Sequence, residues 1–109
     1  MAEAALTEAV YYILLSLTEP MHGYGIMQNA AALSSGRVRL AAGTLYGALG
    51  TLVTKGWIEG VPDGEAGRQK KYRITAEGMA VLRGEHARLR ELYENGARIL
   101  GGEHEKNGI

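Results

Sequence analysis

Apolar residues recur at helical spacing in the first part of the chain. A helix over residues 6–17 would carry one apolar stripe, formed at positions i, i+3, i+4 and i+7 by Val10, Ile13, Leu14 and Leu17. Thr7 stands where an N-cap is expected, since its hydroxyl oxygen can accept a hydrogen bond from a first-turn amide. Pro20 ends the element, because proline cannot continue a helix interior.

The next stretch predicts a turn, a shorter helix and a very short strand. Residues 22–25 hold two glycines and predict a turn. The helix that follows would bury Tyr24, Met27 and Ala31 on one side. Polar and apolar residues then alternate over 37–40, which predicts a strand of only a few residues.

A third helix and a hairpin occupy the middle of the chain. The apolar side of a helix over 43–55 is formed by Leu45, Leu49, Leu52 and Val53. Gly56 follows at once, where a left-handed C-cap is expected. Residues 57–61 and 68–74 read as two strands, and the turn-rich loop over 62–67 joins them into a hairpin.

The last predicted element is a long helix that needs a partner. Thr75 can cap it, and the helix runs to about Leu100, before a tail over 103–109. Its apolar stripe approximates a 3.5-residue period at Leu82, Leu89, Leu92 and Ile99, with Tyr93 beside it. The stripe could belong to the core or to a dimer seam, and we expect a seam, because one such helix on a small domain has little else to cover it.

The order of elements indicates a fold that is mainly α with a β-hairpin. A helix-turn-helix followed by a hairpin is the arrangement of a winged helix, here extended by a C-terminal dimerisation helix. We expect a winged-helix DNA-binding domain over 1–75, the dimerisation helix over 76–102 and a flexible tail over 103–109. The third helix would enter the major groove as the recognition helix, and the hairpin would be the wing.

Net charge sharpens this prediction only when it is counted by segment. The 109 residues hold 12 basic and 12 acidic side chains, so the chain as a whole is neutral. Residues 1–36 carry −3, residues 37–75 carry +4 and residues 76–109 carry −1. The basic middle covers the recognition helix and the wing, where lysine and arginine would neutralise phosphates.

Several other function classes lack support in the sequence. There is no cysteine, so disulfides, thiolate metal sites and cysteine nucleophiles are excluded, and a cytoplasmic location fits. The histidines show no metal-ligand spacing, and we expect neither a metal nor a cofactor. No phosphate-binding glycine loop or nucleophile motif occurs, so we do not expect an enzyme. The longest apolar stretch near the N-terminus, 9–17, is too short to cross a bilayer.

Five stretches, in this order and spacing, resemble the PadR family of bacterial transcriptional regulators. They are Tyr12-Ile13-Leu14-Leu15-Ser16-Leu17, His22-Gly23-Tyr24-Gly25-Ile26, Gly43-Thr44-Leu45-Tyr46-Gly47-Ala48-Leu49, Lys55-Gly56-Trp57-Ile58-Glu59 and Arg68-Gln69-Lys70-Lys71-Tyr72-Arg73-Ile74-Thr75-Ala76-Glu77-Gly78. The resemblance spans residues 6–78 and is closest to the small members with a short last helix. It implies a homodimeric repressor on a double-stranded DNA operator. In some members a hydrophobic cavity at the dimer interface admits an aromatic or drug-like effector.

The candidate sites follow from the winged-helix arrangement and this resemblance. The predicted DNA-contacting residues are Thr44, Tyr46, Thr51, Thr54, Lys55, Arg68, Lys70, Lys71, Arg37 and Tyr24. The predicted dimer-interface residues are Leu82, Leu89, Leu92, Tyr93, Ile99 and Tyr11. The outward face of the recognition helix departs from the commonest family pattern at Gly47 and Gly50, and it lacks the side chains that make bidentate base contacts. We therefore expect base reading to rest on threonines, Tyr46 and DNA shape.

Some assignments stay open on sequence grounds. Tyr46 could contact DNA or pack at the helix edge, and Thr44 could cap its helix or bind a phosphate. Arg73 could bind DNA or pair with a carboxylate on the neighbouring strand. Tyr72 is expected to pack in the core or within the hairpin, whereas for Trp57 both packing and a functional role stay open. The rival function is a winged-helix protein-interaction module that does not bind DNA, which would not require a basic wing.

Overall fold

The computed structural model describes residues 5–62 and 70–101, which form a helical domain with a small antiparallel sheet. The elements in chain order are α1 (Glu8–Ser16), β1 (Met21–His22), α2 (Gly23–Leu33), α3 (Ala42–Thr54), β2 (Ile58–Val61), β3 (Lys71–Ile74) and α4 (Ala76–Gly96). A π-helical segment, Ala97–Gly101, continues α4. The strand order is β1-β3-β2, with both pairs antiparallel. The predicted fold class, mainly α with a β-hairpin, is confirmed.

The core lies where the first three helices converge on the hairpin and the start of α4. Its buried members are Ile13, Leu14, Leu17, Ile26, Leu45, Leu49, Leu52, Ile58 and Leu82. The first and third helices contribute the sides predicted from their apolar spacing, except at Val53. Val53 is 43% exposed, because one residue step on a helix turns it about 100° away from buried Leu52.

Three predicted terminus signals are confirmed. The hydroxyl oxygen of Thr7 accepts a hydrogen bond from the Val10 amide at 3.1 Å. Thr75 caps α4 by accepting from the Gly78 amide at 3.0 Å, while its hydroxyl donates to the Gly56 carbonyl at 2.7 Å. Gly56 has a φ of 81°, the left-handed conformation expected just after α3. These bonds fix where α3 ends and α4 begins relative to the hairpin.

The prediction of a short strand over residues 37–40 is wrong. Residues 37–40 do not form a strand. The strand that joins the hairpin to complete the sheet is β1, Met21–His22, where Met21 pairs with Tyr72 of β3. The chain before residue 37 turns through left-handed backbone, and the Val38 amide donates instead to the Ser34 hydroxyl at 2.8 Å. β1 is thus formed by a segment whose partner strand lies some 50 residues away along the chain.

Two predictions for the second helix are also wrong: the turn expected before it and the residues expected on its buried side. The helix begins at Gly23, within the stretch expected to be a turn, and it buries Gly23, Ile26 and Ala30. Tyr24 is 66% exposed. A side chain at position 24 lies about 160° around the helix from position 26, so only one of the two can face the core.

Parts of the sequence prediction lie outside the described residues. These are most of the predicted hairpin loop, from Asp63 to Gly67, together with Arg68 of the predicted strand and the tail over 103–109. Within residues 5–62 and 70–101, no helix is long and apolar enough to cross a membrane.

Candidate nucleic-acid interface

The outward face of α3 is open and made of small residues. Its members are Gly43, Thr44, Gly47, Gly50, Thr51 and Thr54, all of them exposed. A Cβ added at any of the three glycines would meet no atom within 4 Å. This face can therefore approach a flat or grooved surface with its backbone, as the sequence predicted.

Thr44 does not cap the third helix. The N-cap of α3 is Ala41, which makes no side-chain cap bond, and Thr44 lies in the first turn. Of the two roles considered for Thr44, only that of an exposed contact residue is compatible with this position. Thr51 donates its hydroxyl to the Gly47 carbonyl at 3.2 Å, which leaves the hydroxyl oxygen able to accept.

A cleft of about 660 Å³ opens beside the N-terminal half of α3. It is lined by Pro20, Met21, His22, Tyr24, Gly25, Tyr46, Lys70 and Lys71. The cleft therefore joins four of the predicted DNA-contacting residues, which come from α2, α3 and the loop end of the hairpin. Sequence reasoning named these four but could not show that they share one surface.

Gly23 decides how Tyr46 sits in this cleft. A Cβ at Gly23 would overlap the Tyr46 hydroxyl oxygen and lie 2.7 Å from Cζ of the same ring. The glycine thus lets the tyrosine lie directly against the first turn of α2, while half of its surface (51%) stays exposed. Tyr46 thus packs at the helix edge and keeps about half of its surface exposed.

Two lysines of this region lie over aromatic rings. Lys70 Nζ is 5.7 Å from the centroid of Tyr72, and Lys55 Nζ is 4.9 Å from that of Trp57. Burial raises the pKa of Tyr72, with a smaller contribution from Tyr46. Both lysines remain exposed, so their charges are available to an anionic partner.

Two of the arginines that the structure describes in this region, Arg37 and Arg73, are engaged in ion pairs. Arg37 pairs with Glu8 of α1, and neither of these residues lines the cleft. Arg73 Nε lies 2.8 Å from Glu59 Oε2 on the neighbouring strand, so of the two roles considered for Arg73 the pairing is the one observed. Both pairs are solvent-exposed, and such pairs contribute about 0–1 kcal/mol to stability. Arg68 lies outside the described residues.

The predicted dimer-interface residues fall into two groups. Leu82 is only 4% exposed and belongs to the core of its own protomer. Further along α4 and the π-helical segment, Leu89, Leu92, Tyr93 and Ile99 are exposed, and so is Leu100. Tyr11 is half-buried on α1. The stripe thus begins in the core and continues as an exposed apolar surface.

The described residues also include an ion pair with a buried carboxylate, which the sequence did not predict. Glu85, on α4, is 8% exposed and accepts hydrogen bonds from Arg88 Nε at 2.9 Å and Nη2 at 2.6 Å. Its Oε2 also accepts from the Leu6 amide at 3.3 Å, which ties the start of α1 to α4. The Arg88 hydrogen bond is the main cause that lowers the pKa of Glu85, against the opposing effect of burial. The signal was present, since residue 85 falls between Leu82 and Leu89 on the apolar stripe.

This ion pair borders a second cavity, of about 350 Å³, between α1 and α4. Its lining consists of Leu6, Glu8, Tyr11, Tyr12, Glu85, Arg88 and Leu89. The rings of Tyr11 and Tyr12 meet edge to face, with centroids 6.1 Å apart. Because Leu89 belongs to the exposed stripe of α4, the cavity is continuous with that apolar surface.

Solved structures of PadR-like regulators are similar to this chain in fold. A crystal structure of a PadR family transcriptional regulator from Eggerthella lenta is similar with a TM-score of 0.66 and 29% identity, covering 84% of this chain and 80% of that one. A PadR-like transcription factor from Bacteroides fragilis gives 0.62 and 29%, covering 84% and 87%. An uncharacterized 37.1 kDa protein in transposon Tn4556 of Streptomyces fradiae is 38% identical over 76 residues, which are 69% of this chain. The matched part spans about a fifth (21%) of that relative's length. The model of the transcriptional regulator PadR-like family matches residues 12–84, from α1 into α4. Since this match spans most of the chain, the chain belongs to the PadR-like family of transcriptional regulators.

Proposed function

We propose that the protein is a homodimeric DNA-binding regulator, a repressor that a small-molecule effector releases from its operator. The observation that carries the DNA-binding part is the cleft that joins Tyr24, Tyr46, Lys70 and Lys71 beside the open face of α3. A surface that reads DNA needs a protruding element for the groove and cations beside it for the phosphates, and both are present here.

In this proposal α3 reads the major groove largely through shape. Its outward face offers threonine hydroxyls and methyl groups but none of the side chains that bind a base edge by two hydrogen bonds. The open glycines let the helix backbone approach the bases closely. Discrimination then depends on groove width and on the deformability of the site, with modest penalties for each wrong base.

Phosphates would be held around the cleft. The first turn of α2 lines the cleft with Tyr24 and Gly25, and a helix N-terminus favours a negative charge. Lys70 and Lys71 supply cations, and the hydroxyls of Tyr24 and Tyr46 supply donors. These contacts carry no sequence information, so they fix the position of α3 on the duplex.

Dimerisation would cover the exposed apolar stripe of α4. A protomer alone leaves Leu92, Tyr93 and Ile99 in water, which is unfavourable for side chains of this size. A second copy packed across a two-fold axis would bury the stripe of both protomers and fix the distance between the two α3 helices. That distance would determine the half-site spacing of the operator.

An effector would act through the cavity between α1 and α4, which adjoins this stripe. A ligand there would contact the dimer seam and α1 together, so it could favour one arrangement of the two subunits. Only its difference in affinity between the DNA-bound and free forms can release the protein. Operator affinity that stays unchanged with a candidate compound would rule out that compound and leave DNA binding unaffected.

Two glycine substitutions test the DNA-facing role of α3. A Gly47→Leu variant adds a side chain to open space, so it should fold at least as stably as the parent, because glycine costs a helix about 1 kcal/mol relative to a good helix former. Gly84→Leu is the matched control, since Gly84 is a helical glycine of α4 with equally open surroundings. We expect the Gly47 variant to lose about tenfold or more in duplex affinity and the Gly84 variant to bind as the parent does. Equal affinities would refute the placement of this face on DNA.

A further inference from the structure

A third cavity, of about 320 Å³, lies between the start of α1 and the C-terminal half of α3. We call it the α1–α3 pocket, and it is lined by Ala5, Leu6, Thr7, Val10, Ala48, Thr51, Leu52, Lys55 and Trp57. It shares only Leu6 with the cavity between α1 and α4, and no residue with the cleft. Its volume falls at the lower end of the range of small-molecule sites, about 300–1,000 Å³.

The lining pairs aliphatic walls with one cation. Leu6, Val10 and Leu52 supply branched apolar side chains, whereas Lys55 is the one charged residue among those that the structure places around the pocket. Its ammonium lies 4.9 Å from the centroid of the Trp57 ring. That face of the indole is therefore taken by the cation, which leaves the aliphatic side chains to contact a ligand. Apolar walls with a few polar groups that fix orientation are typical of small-molecule sites.

We propose that the α1–α3 pocket binds a small aliphatic monocarboxylate, such as a short fatty acid anion. The alkyl chain would pack against the aliphatic walls, where its burial is favourable. The carboxylate would pair with Lys55, and the hydroxyl of Thr7 could donate to it. A single cation balances a single negative charge, so the pocket favours a monoanion over a neutral alkane or a dianion.

Occupancy of this pocket would weaken DNA binding, a step that rests on the proposed function. Lys55 closes α3 as its C-cap, and Thr51 belongs both to the pocket and to the outward face of that helix. A carboxylate held by Lys55 would remove one cation from the surface that meets phosphates. The magnitude of the slope of log affinity against log salt should then fall by about 0.9 per protomer, the value for one lost phosphate contact.

The single tryptophan of the chain supplies a direct reporter of the site. Its indole N–H signal in a nuclear magnetic resonance spectrum of the full-length protein needs no assignment among several tryptophans. We would titrate hexanoate, with hexanamide as the neutral probe of similar size. The variant Lys55→Gln removes the proposed cation. Lys70→Gln is its matched control, because Lys70 also lies over an aromatic ring, at 5.7 Å from Tyr72.

We expect hexanoate to shift the indole signal saturably, with an affinity at least about threefold greater than that of hexanamide. Lys55→Gln should remove this difference, and Lys70→Gln should keep it. Equal binding of the two probes, or no saturable shift up to about 10 mM, would overturn the proposal, because a site that fits this ligand should bind it in the millimolar range or more tightly. A signal that moves with protein concentration but not with hexanoate would place a second copy on this surface and would overturn the proposal as well.

The ligand titration and the DNA measurement can fail separately. If the parent protein binds no duplex at low salt, the proposed function fails while the hexanoate titration still decides the pocket. If duplex binding is present and hexanoate binds without lowering it, the pocket stands as a binding site and its coupling to DNA is refuted.

Discussion

Truncation of Leu92 should weaken the dimer by an amount that the structure allows to be estimated. Full burial of a leucine side chain is worth about 1.5–3 kcal/mol. The protomer leaves Leu92 53% exposed, so roughly half of that value, about 0.8–1.5 kcal/mol per copy, is available to a partner. A two-fold interface contains both copies, and alanine keeps the β-carbon. We therefore expect Leu92→Ala to cost the dimer about 1–2 kcal/mol, which raises its Kd about 5- to 30-fold.

Sedimentation equilibrium over a range of protein concentrations would measure this Kd. The control is Glu91→Ala, an exposed residue that lies on the opposite side of α4 from the apolar stripe, and its dimer should dissociate as the parent does. Two results would refute the reasoning: a parent protein that is monomeric at micromolar concentration, or equal Kd values for the parent and Leu92→Ala. Either would mean that the stripe is not a seam between two copies.

Three further predictions concern stability and specificity. The Arg88 hydrogen bond depresses the pKa of Glu85, so its contribution to stability is present above the ordinary value of about 4.5 and is lost as pH falls through the lower folded pKa. The melting temperature, measured from pH 6 down to about pH 3, should therefore fall less steeply for Glu85→Gln than for the parent. Gly78→Ala should lower stability by about 1–3 kcal/mol, because the added Cβ would overlap the Trp57 carbonyl oxygen, a backbone atom that cannot swing away. Denaturant unfolding checks this against Gly84→Ala, which should be neutral or stabilising. In a base-substitution series on a selected operator, the loss of binding free energy should stay below about 3 kcal/mol at each of several adjacent positions. Losses of that size at several adjacent positions would contradict recognition by DNA shape.

Local signals allowed much of the fold to be predicted. The hydroxyl caps at Thr7 and Thr75 and the left-handed Gly56 act within a few residues of themselves, so the sequence alone locates them. The outward face of α3 was predictable for the same reason, since the buried leucines of one helix fix what its other side presents. The amphipathic pattern could not show which part of the α4 stripe packs within the protomer, and Leu82 proved to lie in the core.

Contacts between distant residues explain what the sequence did not reveal. The strand Met21–His22 exists only because β3 pairs with it from far along the chain, and two residues leave no periodic pattern. The phase of α2 depends on Ile26 entering the core, which leaves Tyr24 exposed for the cleft. The convergence of Tyr24, Tyr46 and the wing lysines on one surface is likewise a property of the folded chain.

The salt dependence of binding to random duplex DNA tests the central claim most directly. Fluorescence anisotropy of a labelled duplex, measured from low to physiological salt, gives the slope of log affinity against log salt. We predict a steep negative slope, which Lys70→Gln combined with Lys71→Gln would make shallower by about 1.8 per protomer, at about 0.9 for each phosphate contact. An absence of binding at low salt would contradict DNA recognition and favour a winged-helix module that binds another protein.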